Sequence, residues 1–239
     1  MHLTAQQRAF FDTFGYLAFP GLLLDRIDEI THAFEAIWEN HGGGHDGQPH
    51  DPTRRSCIVQ FVDQSETLCT MLDDPRIYDV ACDLLGDDFN YMGSDGNLYA
   101  GDTPWHSDGH HEHYLHVKFA FYLDRIDGAD VPALAFSSTP GDVVVFDHNL
   151  KHAAFHGSGR RRMFTMNICQ RYAEKDLPDL RDYLGGSARF WLERNYDQTI
   201  IDTASPKRIR HLEQVMANDY ELAELSRKAR QKNPEPSRG

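Results

Sequence analysis

Cysteines are few in this sequence, and their positions limit the class of protein. The four cysteines among 239 residues are Cys57, Cys69, Cys82 and Cys169, and no two of them have CxxC spacing. Small disulfide-rich scaffolds contain many more cysteines in a much shorter chain. A chain of this length also buries enough apolar surface to fold without such cross-links. We therefore predict four reduced thiols and a cytoplasmic protein.

Basic side chains are also scarce. The chain has 24 Lys and Arg residues against 37 Asp and Glu residues, for a formal net charge of −13 at pH 7. Proteins that bind nucleic acid or anionic membranes use the opposite balance. No apolar run is long enough to span a bilayer, and the start "MHLTAQQRAFFDTFGYL" lacks the regions of a signal peptide. We expect a small-molecule partner, with no nucleic acid and no membrane.

The chain changes from helical to strand-like periodicity and back. Thr4 and Gln7 form a candidate capping box ahead of the first helix, and Asp74 and Pro75 begin another. From about Asn90 short β-branched and aromatic runs follow, namely "NLYA", "HVKFAFYL", "PALAF", "DVVVF", "KHAAF" and "RMFTMNI". This order predicts a mainly β protein with flanking helices, built on a sandwich or jelly roll.

No linker separates these regions, so we predict one domain over residues 1–239. Its parts are helical support at 1–88, a jelly-roll core at 89–171, helices at 172–228 and a disordered tail at 229–239. The sequence gives no indication of oligomeric state.

Histidines are concentrated in "PWHSDGHHEHYLH", which begins at Pro104. His106 and Asp108 are two positions apart, so on a strand their side chains share a face. His152 begins a later strand, and an arginine cluster follows it. Two histidines and one carboxylate on one face form the facial triad of non-haem Fe(II) oxygenases. We therefore predict His106, Asp108 and His152 as metal ligands and catalytic residues.

The other histidines have less specific settings. His110, His111 and His113 follow Gly109 in a polar loop, where solvated surface is the simpler interpretation and substrate contact the alternative. His116 shares a strand face with Lys118 and Tyr122, and that face is a candidate lining of the pocket. His156 lies near the next turn and is expected at the surface.

The arginine cluster has a chemical reason of its own. A dicarboxylate that chelates iron through its keto acid end leaves a distal carboxylate in the barrel, and a guanidinium pairs with it bidentately. Alternation allows either Arg161, with Met163, Thr165 and Asn167, or Arg162, with Phe164, Met166 and Ile168, to point inward. The more polar face favours Arg161, and Lys118 is a further candidate contact.

The segments "DGNLYAGDTPWHSDG", "HVKFAFYLD" and "PGDVVVFDHNLKHAAFHGSGRRRMFTMN" resemble the phytanoyl-CoA dioxygenase-like branch of the Fe(II)/2-oxoglutarate oxygenases. The resemblance covers most of the chain up to about Arg171. It implies a double-stranded β-helix (cupin-like) and iron on His106, Asp108 and His152. It also implies 2-oxoglutarate on an arginine and on the strand that bears Asn97, Tyr99 and Thr103, with ordinary sheet packing as the alternative for these three.

The same resemblance implies a reaction. The enzyme would consume O2 and 2-oxoglutarate, release succinate and CO2, and oxidise a substrate C–H bond. Halogenating relatives have a small residue in place of the carboxylate ligand, so Asp108 favours hydroxylation.

One departure from the family leaves two rival interpretations open. After "FYLD" the chain passes almost directly to the next strand, so a strand region between Asp124 and Pro132 is shortened relative to the family. The first rival is a metal-binding jelly roll with lost or weak turnover. The second is a cupin-like isomerase or hydrolase that uses another divalent metal as a Lewis acid.

Three further residues near these motifs are assigned roles. Trp105 is expected in the core, where it would steady the ligand strand. Arg54 and Arg55 are expected as an exposed surface pair, with a grip on an anionic substrate as the alternative.

Overall fold

Six antiparallel strands form the sheet of the computed structural model, which describes residues 1–109, 113–127 and 134–239. The strand order is β1-β5-β4-β6-β3-β2. The strands are β1 (Tyr16–Phe19), β2 (Ser56–Val59), β3 (Asn90–His106), β4 (His116–Tyr122), β5 (Val143–Asp147) and β6 (His152–Cys169). The two longest, β3 and β6, pair along nearly their whole length, from Asn90 opposite Cys169 to His106 opposite His152.

The two faces of the sheet have different surroundings. On β4, Val117, Phe119 and Phe121 face the apolar core, while Lys118 and Tyr122 face a cavity. The outer ends of β3 and β6 line this cavity together with the central strands, so the sheet curls around it. This curled antiparallel sheet with flanking helices confirms the predicted mainly β jelly roll.

Nine α-helices lie within the described residues. They are α1 (Ala5–Phe14), α2 (Ile27–Asn40), α3 (Glu66–Cys69), α4 (Pro75–Leu85), α5 (Leu177–Gly185), α6 (Gln198–Asp202), α7 (Pro206–Ile209), α8 (Glu213–Met216) and α9 (Leu222–Lys232). Both predicted helix starts are confirmed: Thr4 and Gln7 form a capping box, and the Asp74 carboxylate accepts a hydrogen bond from the Arg76 amide ahead of Pro75. None of the described helices is long and apolar enough to cross a bilayer.

The region predicted as helical support also provides both edge strands of the sheet. β1 pairs with β5, and β2 pairs with β3. Opposite β2, Gly96 packs against the ring of Phe61, and an added Cβ there would lie only 2.0 Å from the ring. Glycine at this position lets the aromatic core approach the sheet backbone closely.

Two of the predicted strand boundaries were wrong. "KHAAF" and "RMFTMNI" belong to the single strand β6, because both run opposite the continuous strand β3. In "PALAF", Leu134–Phe136 are not strand, and Leu134 and Phe136 are exposed. Residues 128–133, which hold most of the segment predicted to be shortened, lie outside the described residues.

The expected disordered tail at 229–239 differs from the structure. Leu222 and Ser226, one turn apart, are buried under α9, and the helix continues to Lys232. Beyond it, the Ser237 amide donates a hydrogen bond to the Arg189 carbonyl at 2.9 Å, and the Arg238 guanidinium donates one to the Arg55 carbonyl at 3.1 Å. These contacts hold the basic segment against the body of the protein despite its low hydrophobicity.

A carboxylate without a cationic partner is buried between the sheet and the helices. Asp63 is fully buried and accepts hydrogen bonds from the Tyr91 hydroxyl at 2.8 Å and from the Asp197 amide at 3.3 Å. No Lys or Arg among the described residues forms an ion pair with it. Burial raises the pKa of Asp63 to about 7, and the hydrogen bonds from Tyr91 and Asp197 only partly oppose that effect.

We expect Asp63→Asn to flatten the pH dependence of stability. Since the folded-state pKa lies above the ordinary value of 3.8, the folded protein binds the proton more tightly than the unfolded chain does. The wild-type free energy of unfolding should therefore fall as pH rises from about 4 to above 7, by on the order of 2 to 4 kcal/mol from this group. Urea unfolding of both proteins from pH 5 to pH 8 measures the difference, and parallel curves would contradict the prediction.

Candidate metal centre

Three side chains converge where the long strands β3 and β6 meet. His106 ends β3, Asp108 follows it by two residues, and His152 begins β6 directly opposite His106. The Asp108 carboxylate lies 3.6 Å from His106 Nε2 and 3.4 Å from His152 Nε2. One ligand atom from each residue lies within 4.8 Å of the others. Among the described residues this is the single group of three metal-ligating side chains found.

Both imidazoles are oriented by backbone carbonyls. His106 Nδ1 lies 2.8 Å from the Pro104 carbonyl oxygen, and His152 Nδ1 lies 3.0 Å from the Leu150 carbonyl oxygen. A carbonyl only accepts hydrogen bonds, so each Nδ1 carries a proton, and Nε2 is the nitrogen available to a metal ion. Both Nε2 atoms face the Asp108 carboxylate, and a divalent cation bound there would join the three groups.

Lys118 forms an ion pair with Asp108, the carboxylate of this group. Its ammonium lies 2.7 Å from Asp108 Oδ2, and both side chains are largely buried. Burial acts to raise the pKa of Asp108, but the hydrogen bond with His152 and the charge of Lys118 hold it well below its usual range. Asp108 is therefore an ionised carboxylate across the physiological pH range. Lys118, predicted as a cosubstrate contact, lines the cavity and orients this carboxylate.

The two neighbouring arginines of β6 point in opposite directions. Arg162 lies on the outer side, where its guanidinium pairs with Asp124 at 2.6 Å and with Glu35 at 2.9 Å. Arg161 is only 8% exposed and lines the cavity. Its Nε is buried without a hydrogen-bond partner, and it forms no ion pair with any carboxylate of the described residues. A buried guanidinium with this unsatisfied donor fits an anionic ligand.

Two tyrosines surround Arg161. Its guanidinium lies 4.8 Å from the centre of the Tyr99 ring, and its charge is close enough to Tyr122 to oppose the effect of burial on that phenol. Burial nevertheless raises the pKa of both Tyr99 and Tyr122. Both therefore remain neutral phenols, and their hydroxyls are able to donate hydrogen bonds to a carboxylate.

Of the three remaining predicted cosubstrate contacts, two line the cavity and one does not. Tyr99 and Thr103 line the cavity. Asn97 does not: it is fully buried, accepts a hydrogen bond from Arg55 Nε at 2.8 Å and donates one to Asp95. Its side chain lies below the cavity surface, where it positions Arg55 instead of contacting a ligand.

The cavity has a volume of about 1240 Å³ and is shared by the metal ligands and the two tyrosines. It is larger than many small-ligand pockets. Two groups of aromatic side chains line it: Phe10, Phe14, Tyr16 and Phe136 near β1, and Trp105 and Phe155 on β3 and β6. The expectation that Trp105 is a core residue was wrong. It is 54% exposed and contacts Phe155 edge-on at 5.9 Å, because the ligand strand has curled to the cavity mouth.

Of the other histidines singled out in the sequence, His113 and His116 have described side chains, and neither belongs to the group of three. His113 is exposed, and His110 and His111 lie outside the described residues. His116 is buried with its Nε2 2.8 Å from the Tyr172 hydroxyl, and it does not line the cavity. The surface position expected for the His156 side chain also falls outside the described part of the chain.

Two charged residues of the site differ from the sequence-based expectation: Arg55 was expected at the surface, and Asp95 was not predicted. The structure separates the expected surface pair: Arg54 is exposed and pairs with Glu235, whereas Arg55 lines the cavity. Alternation along "RRSCIVQ" places Arg55, Cys57 and Val59 on one face, and this signal was available. Asp95 carried no motif that distinguishes it.

Comparison with known proteins finds no matching family model and no matching curated protein. Solved structures do match. The nogalamycin-biosynthesis carbocyclase SnoK, a non-haem α-ketoglutarate-dependent protein, is 18% identical with a TM-score of 0.58 over 75% of this chain and 90% of its own.

Two further matches have similar coverage. HygX from Streptomyces hygroscopicus, solved with nickel and 2-oxoglutarate, is 17% identical with a TM-score of 0.55 over 72% of this chain and 89% of its own. EctD from S. alaskensis, solved with bound Fe, is 21% identical with a TM-score of 0.56 over 70% and 76%. At these identities the similarity lies in the fold, and this chain has the curled jelly roll of those structures.

Proposed function

We propose that this protein is an Fe(II)- and 2-oxoglutarate-dependent oxygenase that oxidises a C–H bond of a small molecule. The observation that carries the proposal is the pairing of two groups in one cavity. One is the set of His106, Asp108 and His152, and the other is the buried, unpaired guanidinium of Arg161. The solved neighbours that contain iron or 2-oxoglutarate support the same assignment.

The donor set fits the metal. Two imidazole nitrogens and one carboxylate are the ligands of non-haem Fe(II) sites, and they leave further coordination positions open. Bound Fe(II) would supply the activation of O2 that is coupled to decarboxylation of 2-oxoglutarate to succinate and CO2. Lys118 would keep Asp108 ionised and hold its Oδ2, which leaves Oδ1 facing His106.

The cosubstrate site is assigned to the part of the cavity around Arg161, which lies on β6 nine residues after His152. Arg161 would pair with the distal carboxylate of 2-oxoglutarate, since a guanidinium matches a carboxylate bidentately. Tyr99 and Tyr122 would add neutral hydroxyl donors, and Thr103 lines the approach. Arg162 is excluded from this role because its charge is already paired with Asp124 and Glu35.

The assignment also extends to the setting of the protein. The four cysteines are free thiols, which supports a reducing compartment such as the cytoplasm. We infer a small-molecule substrate, and no nucleic-acid or membrane partner, from the size of the cavity and the net acidity.

Anaerobic protein mixed with Fe(II) and 2-oxoglutarate should develop the weak visible charge-transfer band of an iron-chelated keto acid. Admission of O2 should then release succinate, because the proposed iron ligands and Arg161 line the same cavity. Absorbance spectroscopy and succinate analysis check the two steps, with succinate in place of 2-oxoglutarate as the control for the band. Metal binding without a band or succinate would instead favour a metal-dependent isomerase or hydrolase, or a jelly roll without turnover.

A further inference from the structure

A second arginine lies in the cavity, and its charge is held in place by an uncharged group. Arg55 immediately precedes β2, and its side chain is 22% exposed. Its Nε donates a hydrogen bond to Asn97 Oδ1 at 2.8 Å, and Asn97 is completely buried. The buried amide fixes Nε and leaves the two terminal nitrogens of the guanidinium facing the cavity.

The nearest carboxylate is already engaged by other donors. Asp95 Oδ2 lies 3.6 Å from Arg55 Nη2, so the two form an ion pair without a direct hydrogen bond. The Asp95 oxygens accept hydrogen bonds from the Thr165 hydroxyl at 2.5 Å and from the Asn97 amide. Within the described part of the chain the terminal nitrogens of Arg55 make no hydrogen bond, although Gly239 lies against them.

Arg55 and Arg161 form two separate cationic positions. The ring of Tyr99 contacts both guanidiniums, at 4.6 Å and 4.8 Å from its centre. Burial opposes the charge on Arg55, but Tyr99, Cys57 and the carboxylates of Asp95 and Asp108 hold its pKa above the usual value. If Arg161 takes the carboxylate of 2-oxoglutarate, Arg55 remains as a permanently charged group beside the metal ligands.

The opposite edge of the cavity is apolar. β1 and β2 are the two edge strands of the sheet, so Tyr16 and Arg55 lie on opposite sides of it. Around Tyr16, the rings of Phe10 and Phe136 lie 5.2 Å and 5.3 Å away. The metal ligands lie between the two edges: His152 contacts the ring of Phe146 on β5, and Asp108 is held from β4.

We propose that the substrate is an organic carboxylate whose anionic group pairs with Arg55 and whose hydrocarbon or aryl body extends toward the aromatic rings near β1. This inference rests on the proposed function, because it assigns Arg161 to the cosubstrate. A substrate placed in this way passes the metal ligands along its length. The volume of about 1240 Å³ accommodates it together with 2-oxoglutarate.

Calorimetric titration of the protein loaded with Ni(II) and 2-oxoglutarate tests the proposal without turnover. The probes are 4-phenylbutyrate, octanoate and indole-3-acetate, each matched with its neutral primary amide. At least one acid should bind about tenfold or more tightly than its amide, since a buried cation discriminates strongly between charged and neutral partners. Arg55→Gln should remove that preference, and Arg54→Gln, a change at the exposed neighbour, should keep it.

The outcomes separate this inference from the proposed function. It is overturned if no acid binds better than its amide, or if Arg55→Gln keeps the preference. It is also overturned if Arg55→Gln weakens 2-oxoglutarate binding as strongly as Arg161→Gln does, because Arg55 would then serve the cosubstrate. An Arg55-dependent preference for acids in protein that binds no 2-oxoglutarate would support the anion site and overturn the oxygenase assignment.

Discussion

Replacing His152 with alanine is expected to abolish iron binding at micromolar metal, and His106→Ala should do the same. Each imidazole would supply one of three ligand atoms, and the remaining histidine and carboxylate would hold Fe(II) poorly. We expect a loss in affinity of at least about a hundredfold, more than is typical of a change behind the ligands. Anaerobic Fe(II) titration against a competing chelator measures it, and Ni(II) titration by calorimetry provides a second readout.

Neither His106 nor His152 is buried in the core. The side chains of His106 and His152 are 38% and 27% exposed, so truncation leaves no closed cavity and the fold should persist. His113→Ala is the matched control, since it changes an exposed histidine of the same segment. Circular dichroism verifies folding of all three variants. Wild-type affinity in either ligand variant would eliminate the three-residue assignment.

Arg161→Gln should raise the dissociation constant of 2-oxoglutarate about a hundredfold, a change of about 3 kcal/mol, by leaving a buried carboxylate without its cation. Metal affinity should be nearly unchanged, because Arg161 contacts none of the three ligands among the interactions described. The substitution leaves no orphaned carboxylate in the free protein, since Arg161 forms no ion pair there. Titration of 2-oxoglutarate into Ni(II)-loaded protein by calorimetry measures the effect.

Arg162→Gln is the control on the adjacent position of the same strand. It removes the ion pairs with Asp124 and Glu35, so the free energy of unfolding should fall while 2-oxoglutarate affinity is retained. Arg161→Lys should recover only part of the affinity, because an ammonium lacks the bidentate fork of a guanidinium. If Arg162→Gln weakens 2-oxoglutarate binding and Arg161→Gln does not, the cosubstrate is bound outside the cavity-facing side of β6.

Local periodicity was sufficient for the parts of the site that lie within one strand. The two-residue repeat separated Arg161 from Arg162, and the close spacing kept Asp108 beside His106 although Asp108 lies just beyond the end of β3. Helix starts at Thr4 and Asp74 were equally local, because a cap involves only the next three residues. These features depend on backbone geometry over a few residues, so they are readable without knowledge of the fold.

Local patterns misled where pairing partners decide the outcome. "PALAF" has strand composition, yet Leu134–Phe136 find no partner strand, and Phe136 packs edge-on against Tyr16. Trp105 is a large aromatic residue of the kind usually buried, but it is exposed at the cavity mouth. Burial of an aromatic residue depends on what covers it, and the covering segments come from distant parts of the chain.

The sequence by itself indicated His106, Asp108 and His152 as a candidate ligand set, and its acidity argues against a nucleic-acid partner. Only the tertiary structure decided that His106 lies opposite His152, that Lys118 holds Asp108, and that Arg55 enters the cavity from β2. Each of these contacts joins segments that are far apart in the chain, through strand register and the curl of the sheet. Register and curl arise from the packing of the whole core, so no short stretch of sequence encodes them.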